Sequence, residues 1–247
     1  MKSSYRIDIV SVAPEAFSSI ESYGVIGRAF NRGLAELHIH NPRDFAKDRY
    51  RKVDDEPFGG GSGMILKPEP IFCAVDSIPL RDKKLVILMT PHGSPISQFD
   101  FVKWSNDFDQ LVIICGHYGG VDERVRILAD QEVSLGDYVL SGGELPALVV
   151  ISGVIRLLPG VLGDKESLQN ESHTNFLLGF PQYTRPRKFR SFSVPPVLLS
   201  GNHSTILRWR REESKNRTKK RRPDLYSQWD KKQISLDSIV EDNYPDW

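Results

Sequence analysis

The chain has 247 residues, 39% of them hydrophobic, with 33 basic and 32 acidic side chains and a formal charge of +1. That length allows one large or two smaller domains and a core that needs no disulfide or metal staple. The charge balance excludes a generally basic nucleic-acid coat, though not a local basic patch. The two cysteines, Cys73 and Cys115, form no CxxC pair, which argues against a disulfide scaffold or zinc ribbon and for reduced thiols in a cytosolic protein. The N-terminus MKSSYRIDIV lacks the apolar run of a signal peptide. The longest apolar stretch, Leu145 to Leu158, is interrupted by Pro146, Ser152 and Arg156 and is too short for a bilayer.

In chain order, buried strands are predicted at Ile7–Val12, Leu85–Met89 and Leu111–Cys115, each an aliphatic run that ends at Gly, Pro or Ser. Helices are predicted at Ile26–Leu37, Glu69–Ile78 and Asp122–Ala129. The alternation implies an α/β domain with a mostly parallel sheet, whose ligands bind at the carboxyl ends of strands. A buried helix is predicted after Ser141, capped by Ser141 with Glu144 and stopped at Pro159-Gly160.

Beyond Gly163 the composition turns polar, as in a linker, and a smaller second region follows. Residues 208–222 hold six Arg, three Lys and two Glu, a charge of +7, whereas residues 223–247 carry −4. Trp209 among those arginines suits phosphate contact with base stacking; a solvated helix face is the plainer alternative.

Three glycine-bearing segments stand out. Phe58-Gly59-Gly60-Gly61-Ser62-Gly63-Met64 is no P-loop, because Gly-Lys-Ser/Thr is missing, and reads equally as a ligand loop or a surface loop. CGHYGGVDER follows a strand, in a ligand-loop position; His117 alone reads as a surface side chain and Asp122 as a cap. SLGDYVLSGGELP offers an apolar segment and backbone groups of the kind that sandwich an adenine ring, or simply a tight turn. Arg156 in an apolar helix points either to solvent or into a site. Glu171 in the linker has nothing local that makes it more than a solvated carboxylate.

In order, these segments combine with YGVIGRA (23–29), NPRD (41–44), VDD (53–55), MTPHG (89–93), LLPGVLG, PQYTRP (181–186), LLSGNH and RRP (221–223). The set resembles bacterial tRNA (guanine-N1-)-methyltransferases of the trefoil-knot (SPOUT) superfamily over about residues 5–229. The resemblance implies an α/β domain with a deep C-terminal trefoil knot over 1–163 and an interdomain linker over 164–172. It also implies a small, mainly α-helical tRNA-binding domain over 173–230; an acidic tail at 231–247, disordered or folded back, lies beyond it. It implies S-adenosylmethionine bound by Thr90, Pro91, Gly116, Tyr118, Leu135, Gly136, Asp137, Tyr138, Val139, Leu140, Gly142 and Gly143. The implied reaction is methyl transfer to N1 of guanosine 37. Glu171 aligns with the family's linker base, commonly Asp, and Arg156 with the arginine that stabilises charge on guanine O6. Gly63 lies in the loop that approaches the target base, and Arg208, Arg210, Arg217 and Arg221 are the expected tRNA contacts. The implied assembly is a cytoplasmic homodimer that acts on tRNA, not on DNA or a membrane.

Two departures from the family pattern bear on metal. Glu is usual where this chain has Gly119, and Asp where it has Gly179. Both acids are associated with the magnesium requirement, so a weaker or altered Mg2+ dependence is expected, and no residue is assigned as a metal ligand. The competing readings are a tRNA-binding protein that has lost catalysis and a knotted methyltransferase of another RNA.

Overall fold

The computed structural model describes residues 4–163 and 171–241, and the side chains of the final helix only as far as Lys232. The chain divides into two compact units, Met1–Gly163 and Asp164–Trp247.

The first unit is built on five strands: β1 (Tyr5–Val10), β2 (Ala35–His40), β5 (Lys84–Pro95), β6 (Gln110–Cys115) and β7 (Gln131–Ser134). Their order is β2-β1-β6-β5-β7, and every pairing is parallel. A short antiparallel pair, β3 (Asp54–Asp55) with β4 (Ile65–Leu66), flanks the glycine loop.

Side chains alternate across the sheet, and both faces are buried, as parallel sheets require. Ile7, Ile9, Ile87, Leu111 and Ile113 join one core with helices α1 (Gly24–Asn31), α3 (Gln98–Asp107) and α4 (Glu144–Ile155). Val10, Val86, Leu88, Val112 and Ile114 face the other way, onto helix α2 (Pro68–Asp76). Gly153 lets α3 lie close against α4, because a Cβ there would sit 2.6 Å from the Phe101 ring.

Several expectations are corrected. The helix predicted over Ile26–Leu37 ends at Asn31. Gly33 turns the chain at φ +65°, and Ala35–His40 pairs with β1 as an edge strand whose alternation looked like a helix tail. Residues Glu123–Leu128 form a 3-10 helix, not an α-helix. Helix α3, missing from the sequence reading, carries a Ser97/Asp100 capping box. The capping box proposed for Ser141 and Glu144 does not form: the N-cap is Gly143, and Glu144 is buried and bonded elsewhere. Arg156 is the half-buried C-cap of α4 and lies outside the helix interior.

One buried charge on the sheet makes stability depend on pH. Asp8 accepts hydrogen bonds from Arg6 (2.7 and 2.8 Å), His40 (2.8 Å) and Gln110 (2.7 Å). Burial works against the carboxylate, but these donors outweigh it and hold its pKa at about 2. A depressed carboxyl pKa stabilises the fold above the ordinary value near 4 and loses that contribution as pH falls toward 2; the amount is about 2 kcal/mol. Asp8→Asn is therefore expected to lower the free energy of urea unfolding by about that much at pH 7. The gap from wild type should shrink at pH 3; a gap independent of pH would show that the charge is not the cause.

The second unit has a small antiparallel hairpin, β8 (Lys188–Phe189) with β9 (Phe192–Ser193), and two 19-residue helices, α5 (His203–Arg221) and α6 (Pro223–Glu241). Asn202 caps α5 by accepting from Thr205 N at 3.1 Å. Segment 177–180 is laced to α5: Leu178 N donates to the buried Thr218 Oγ1 at 2.8 Å, and Ser214 Oγ donates to Leu178 O at 2.5 Å. The region called an acidic tail is helical as far as Glu241. Linker residues 164–170 and tail residues 242–247 lie outside the described residues.

Candidate functional site

A cavity of about 320 Å³ opens at the carboxyl ends of β5, β6 and β7, where an α/β sheet binds its ligands. Three loops make it. Strand β5 is bulged: Met89 and Ser94 both register with Val133, so Thr90–Gly93 is thrown out of the ladder as a lip. Gly93 allows this, because a Cβ there would sit 2.3 Å from Val133 N. The second loop is the turn after β6. His117 O accepts from Gly120 N at 2.9 Å, and Tyr118 takes a left-handed φ of 57°. Backbone strain of that kind concentrates at binding sites. The third loop, 135–143, folds back onto β6. Gly143 N donates to Gly116 O at 2.7 Å, and His117 bridges to Gly142. A Cβ on Gly143 would lie 2.8 Å from Cys115 Cα.

Eleven of the twelve residues expected at the cofactor line this cavity: Thr90, Pro91, Gly116, Tyr118, Leu135, Gly136, Tyr138, Val139, Leu140, Gly142 and Gly143. Asp137 is exposed and off the wall. The sequence reading missed others. Glu144 sits beneath the loops, accepting from Ser11 Oγ at 2.7 Å and His117 Nδ1 at 3.3 Å. It fixes His117, which lines the cavity where a plain surface side chain had been expected. Glu123, Arg126 and Glu132 form a charged rim; Arg126 bonds Glu132 at 2.6 Å and also pairs with Glu123. Only the capping-box pattern drew attention to Glu144, and it pointed to another partner. At the cavity floor, burial and the nearby Glu144 push the Cys115 thiol well above its ordinary pKa, so it is no nucleophile at neutral pH.

The walls fit a nucleoside-bearing cofactor. Leu135, Leu140, Val133 and Pro91 supply apolar surface, and the glycine loops supply backbone hydrogen-bonding groups. Tyr138 (56% exposed) and Val139 (85% exposed) are large apolar residues left open on a loop that a bound ring would cover.

The glycine loop hangs beside this cavity. Gly119 N donates to Met64 O at 2.8 Å, and Leu66 N to Gly120 O at 2.9 Å. Gly63 is not on the wall, but it precedes the tethered Met64. At Gly119 a Cβ would lie 2.9 Å from Met64 O. Arg156 does not line the cavity.

In the second unit, Glu171 borders an open cavity of about 1090 Å³ together with Gly179, Phe180, Tyr183, Arg185, Arg187, Arg210 and Arg217. Arg217 Nη1 donates to Gly179 O at 3.1 Å, and the Arg210 guanidinium lies 4.8 Å from the Phe180 ring centroid. Two of the four expected tRNA arginines thus already hold segment 177–180 in place, while Arg208 and Arg221 are exposed.

A parallel sheet with an apolar, glycine-lined cavity at its strand ends, joined to a basic helical unit, defines an α/β enzyme with a nucleoside-cofactor site. Comparison with known proteins narrows the class. A family model described as tRNA (Guanine-1)-methyltransferase TrmD matches residues 5–228. A tRNA (guanine-N(1)-)-methyltransferase of Synechococcus sp. (strain RCC307) is 60% identical over 227 residues, covering 92% of this chain and 96% of that protein. One of Synechocystis sp. (strain ATCC 27184 / PCC 6803 / Kazusa) is 54% identical over 230 residues, covering 93% and 99%. The chain belongs to the tRNA (guanine-1)-methyltransferase family. It is an enzyme whose methyl donor is S-adenosylmethionine. No described helix is long and apolar enough to cross a membrane.

Proposed function

We propose that the protein methylates N1 of guanosine 37 in tRNA, as a cytoplasmic homodimer whose first unit is threaded as a trefoil knot. The observation that carries this reading is the cavity at the ends of β5, β6 and β7, which gathers eleven of the twelve residues expected at the cofactor. The fold-back of loop 135–143 onto β6, sealed at Gly143, supports the knotted path.

Guanine N1 carries a proton near neutral pH and is a poor nucleophile until a base removes it. Glu171 takes that proton. Its side chain is one methylene longer than the family's usual Asp, which changes reach while keeping the chemistry. Arg156 offsets the negative charge that builds on guanine O6 as N1 is deprotonated. Bound S-adenosylmethionine supplies a methyl group on a positively charged sulfur. The loops 90–93, 116–120 and 135–143 hold that group in place and exclude water, and Gly63 lies in the loop that meets the base. Arg208, Arg210, Arg217 and Arg221 on α5 engage tRNA, Arg210 and Arg217 also bracing segment 177–180.

The test is product identity. After incubation with tRNA and S-adenosylmethionine, nuclease digestion and mass spectrometry should return 1-methylguanosine from position 37. Methylation of another nucleoside would move the reading to a different RNA target. Tight tRNA and cofactor binding with no methylated product would make the protein a tRNA binder without catalysis.

Gly119 and Gly179 remove two acids that the family associates with magnesium. Initial rates are expected to change only shallowly as Mg2+ is titrated from chelated to millimolar levels. A sharp, undiminished requirement would show that those acids are not its source.

A further inference from the structure

The β8–β9 hairpin carries a surface that extends beyond the Glu171 cavity, which Arg185 and Arg187 reach and Lys188, Phe189, Arg190 and Phe192 do not. Between Arg185 and Phe192 the chain places Arg185, Arg187, Lys188 and Arg190 together with two phenylalanines. Residues 182–193 are all exposed; Phe189 keeps 62% and Phe192 75% of its surface open to solvent. The two rings are cross-strand partners, so they stand on one face of the hairpin. The Arg190 guanidinium lies 5.4 Å from the Phe189 ring centroid. No Asp or Glu occurs between Glu171 and Glu212. The hairpin is thus basic with no acid in the same stretch to neutralise it.

Exposed rings cost solubility unless something covers them. A positively charged patch that bears two open π-faces matches unpaired nucleotides: bases stack on the rings while cations meet the phosphates. Helix α5 is less free for this work, since Trp209 is half-buried and Arg210 and Arg217 are engaged within the unit. We propose that the β8–β9 hairpin is a stacking platform for unpaired nucleotides of the substrate RNA, with Phe189 and Phe192 against bases and Arg187, Lys188 and Arg190 on the adjoining phosphates. The proposal rests on tRNA being the substrate and adds a contact separate from the basic helix.

The experiment measures tRNA affinity of the full-length protein by fluorescence anisotropy across a salt series. Wild type is compared with F189A/F192A, F189L/F192L and R187A/K188A/R190A. Both phenylalanine pairs are expected to weaken binding at least about tenfold at every salt concentration, leaving the salt slope unchanged, because stacking releases no counterions. The triple basic variant should flatten the slope by about two. S-adenosylmethionine binding and oligomeric state, measured alongside, should match wild type in all of them. Wild-type affinity in F189A/F192A, or in the leucine pair that keeps apolar bulk without the rings, would overturn the stacking role. A change of oligomeric state in the phenylalanine variants would make the face a contact between copies of the chain and overturn the proposal as well. If the wild type itself fails to bind tRNA, the substrate reading fails first and the platform with it.

Discussion

Glu171→Gln is expected to slow methyl transfer by a factor of about 10² to 10⁴, the usual contribution of a positioned general base. The amide keeps the shape and hydrogen-bonding reach of the carboxylate but cannot hold the N1 proton. Affinity for tRNA and for S-adenosylmethionine should therefore stay near wild type, and the loss should appear in single-turnover chemistry. The pH profile adds a second check. Raising the pH deprotonates guanine N1 in solution, so the variant's rate should climb toward the wild-type rate as the need for a base falls. Glu171→Asp, which restores the residue common in the family, should retain most activity. A glutamine variant that is as fast as wild type would remove the linker carboxylate from the mechanism.

The second large effect is expected at Gly143. Its position is enclosed by backbone: an added Cβ would meet Cys115 Cα at 2.8 Å and Gly116 N at 3.0 Å, and neither atom belongs to a side chain that can swing away. The Gly143 N–H to Gly116 O bond, 2.7 Å, is the stitch that holds loop 135–143 against β6. Gly143→Ala must therefore pry the stitch open or displace the strand end. Overpacking of this kind costs about 1–3 kcal/mol of stability. Loss of cofactor affinity should exceed tenfold on the same scale, because both edges of the cavity move. Gly60→Ala is the contrasting control: it has open space for a Cβ, only a positive φ of +79°, and lies away from the cavity wall. Calorimetric titration with S-adenosylmethionine would show the difference; equal affinities in the two variants would mean that the stitch does not shape the site.

These expectations also mark what the sequence makes legible. Strands β1, β5 and β6 announce themselves because a parallel sheet buried on both faces needs continuous aliphatic runs. Strand β2, with His38 and His40 alternating against Leu37 and Ile39, sits at the sheet edge and gives no such run. Two of the cavity's three loops are visible as glycine clusters and the third, Thr90–Gly93, carries one glycine, but their convergence is a property of strand order, which no local pattern encodes. Glu144 shows the limit most clearly. Its spacing from Ser141 satisfies a capping box, yet the buried Ser11 hydroxyl and His117 offer it partners from 133 and 27 residues away. Tertiary partners won over the local cap. Arg156 and Glu171 are unremarkable in their local sequence, and the roles proposed for them rest on the family resemblance alone. The hairpin lay open in the sequence as RPRKFRSF, but its meaning depends on exposure: the same rings buried would be core.

The central claim is that this chain transfers a methyl group to guanosine 37. The most direct measurement uses labelled S-adenosylmethionine with two tRNAs that both carry guanosine 36 and differ only in having guanosine or adenosine at position 37. Label incorporated into the first tRNA and absent from the second is the result expected. Equal incorporation into both, or into neither while both bind, would contradict it.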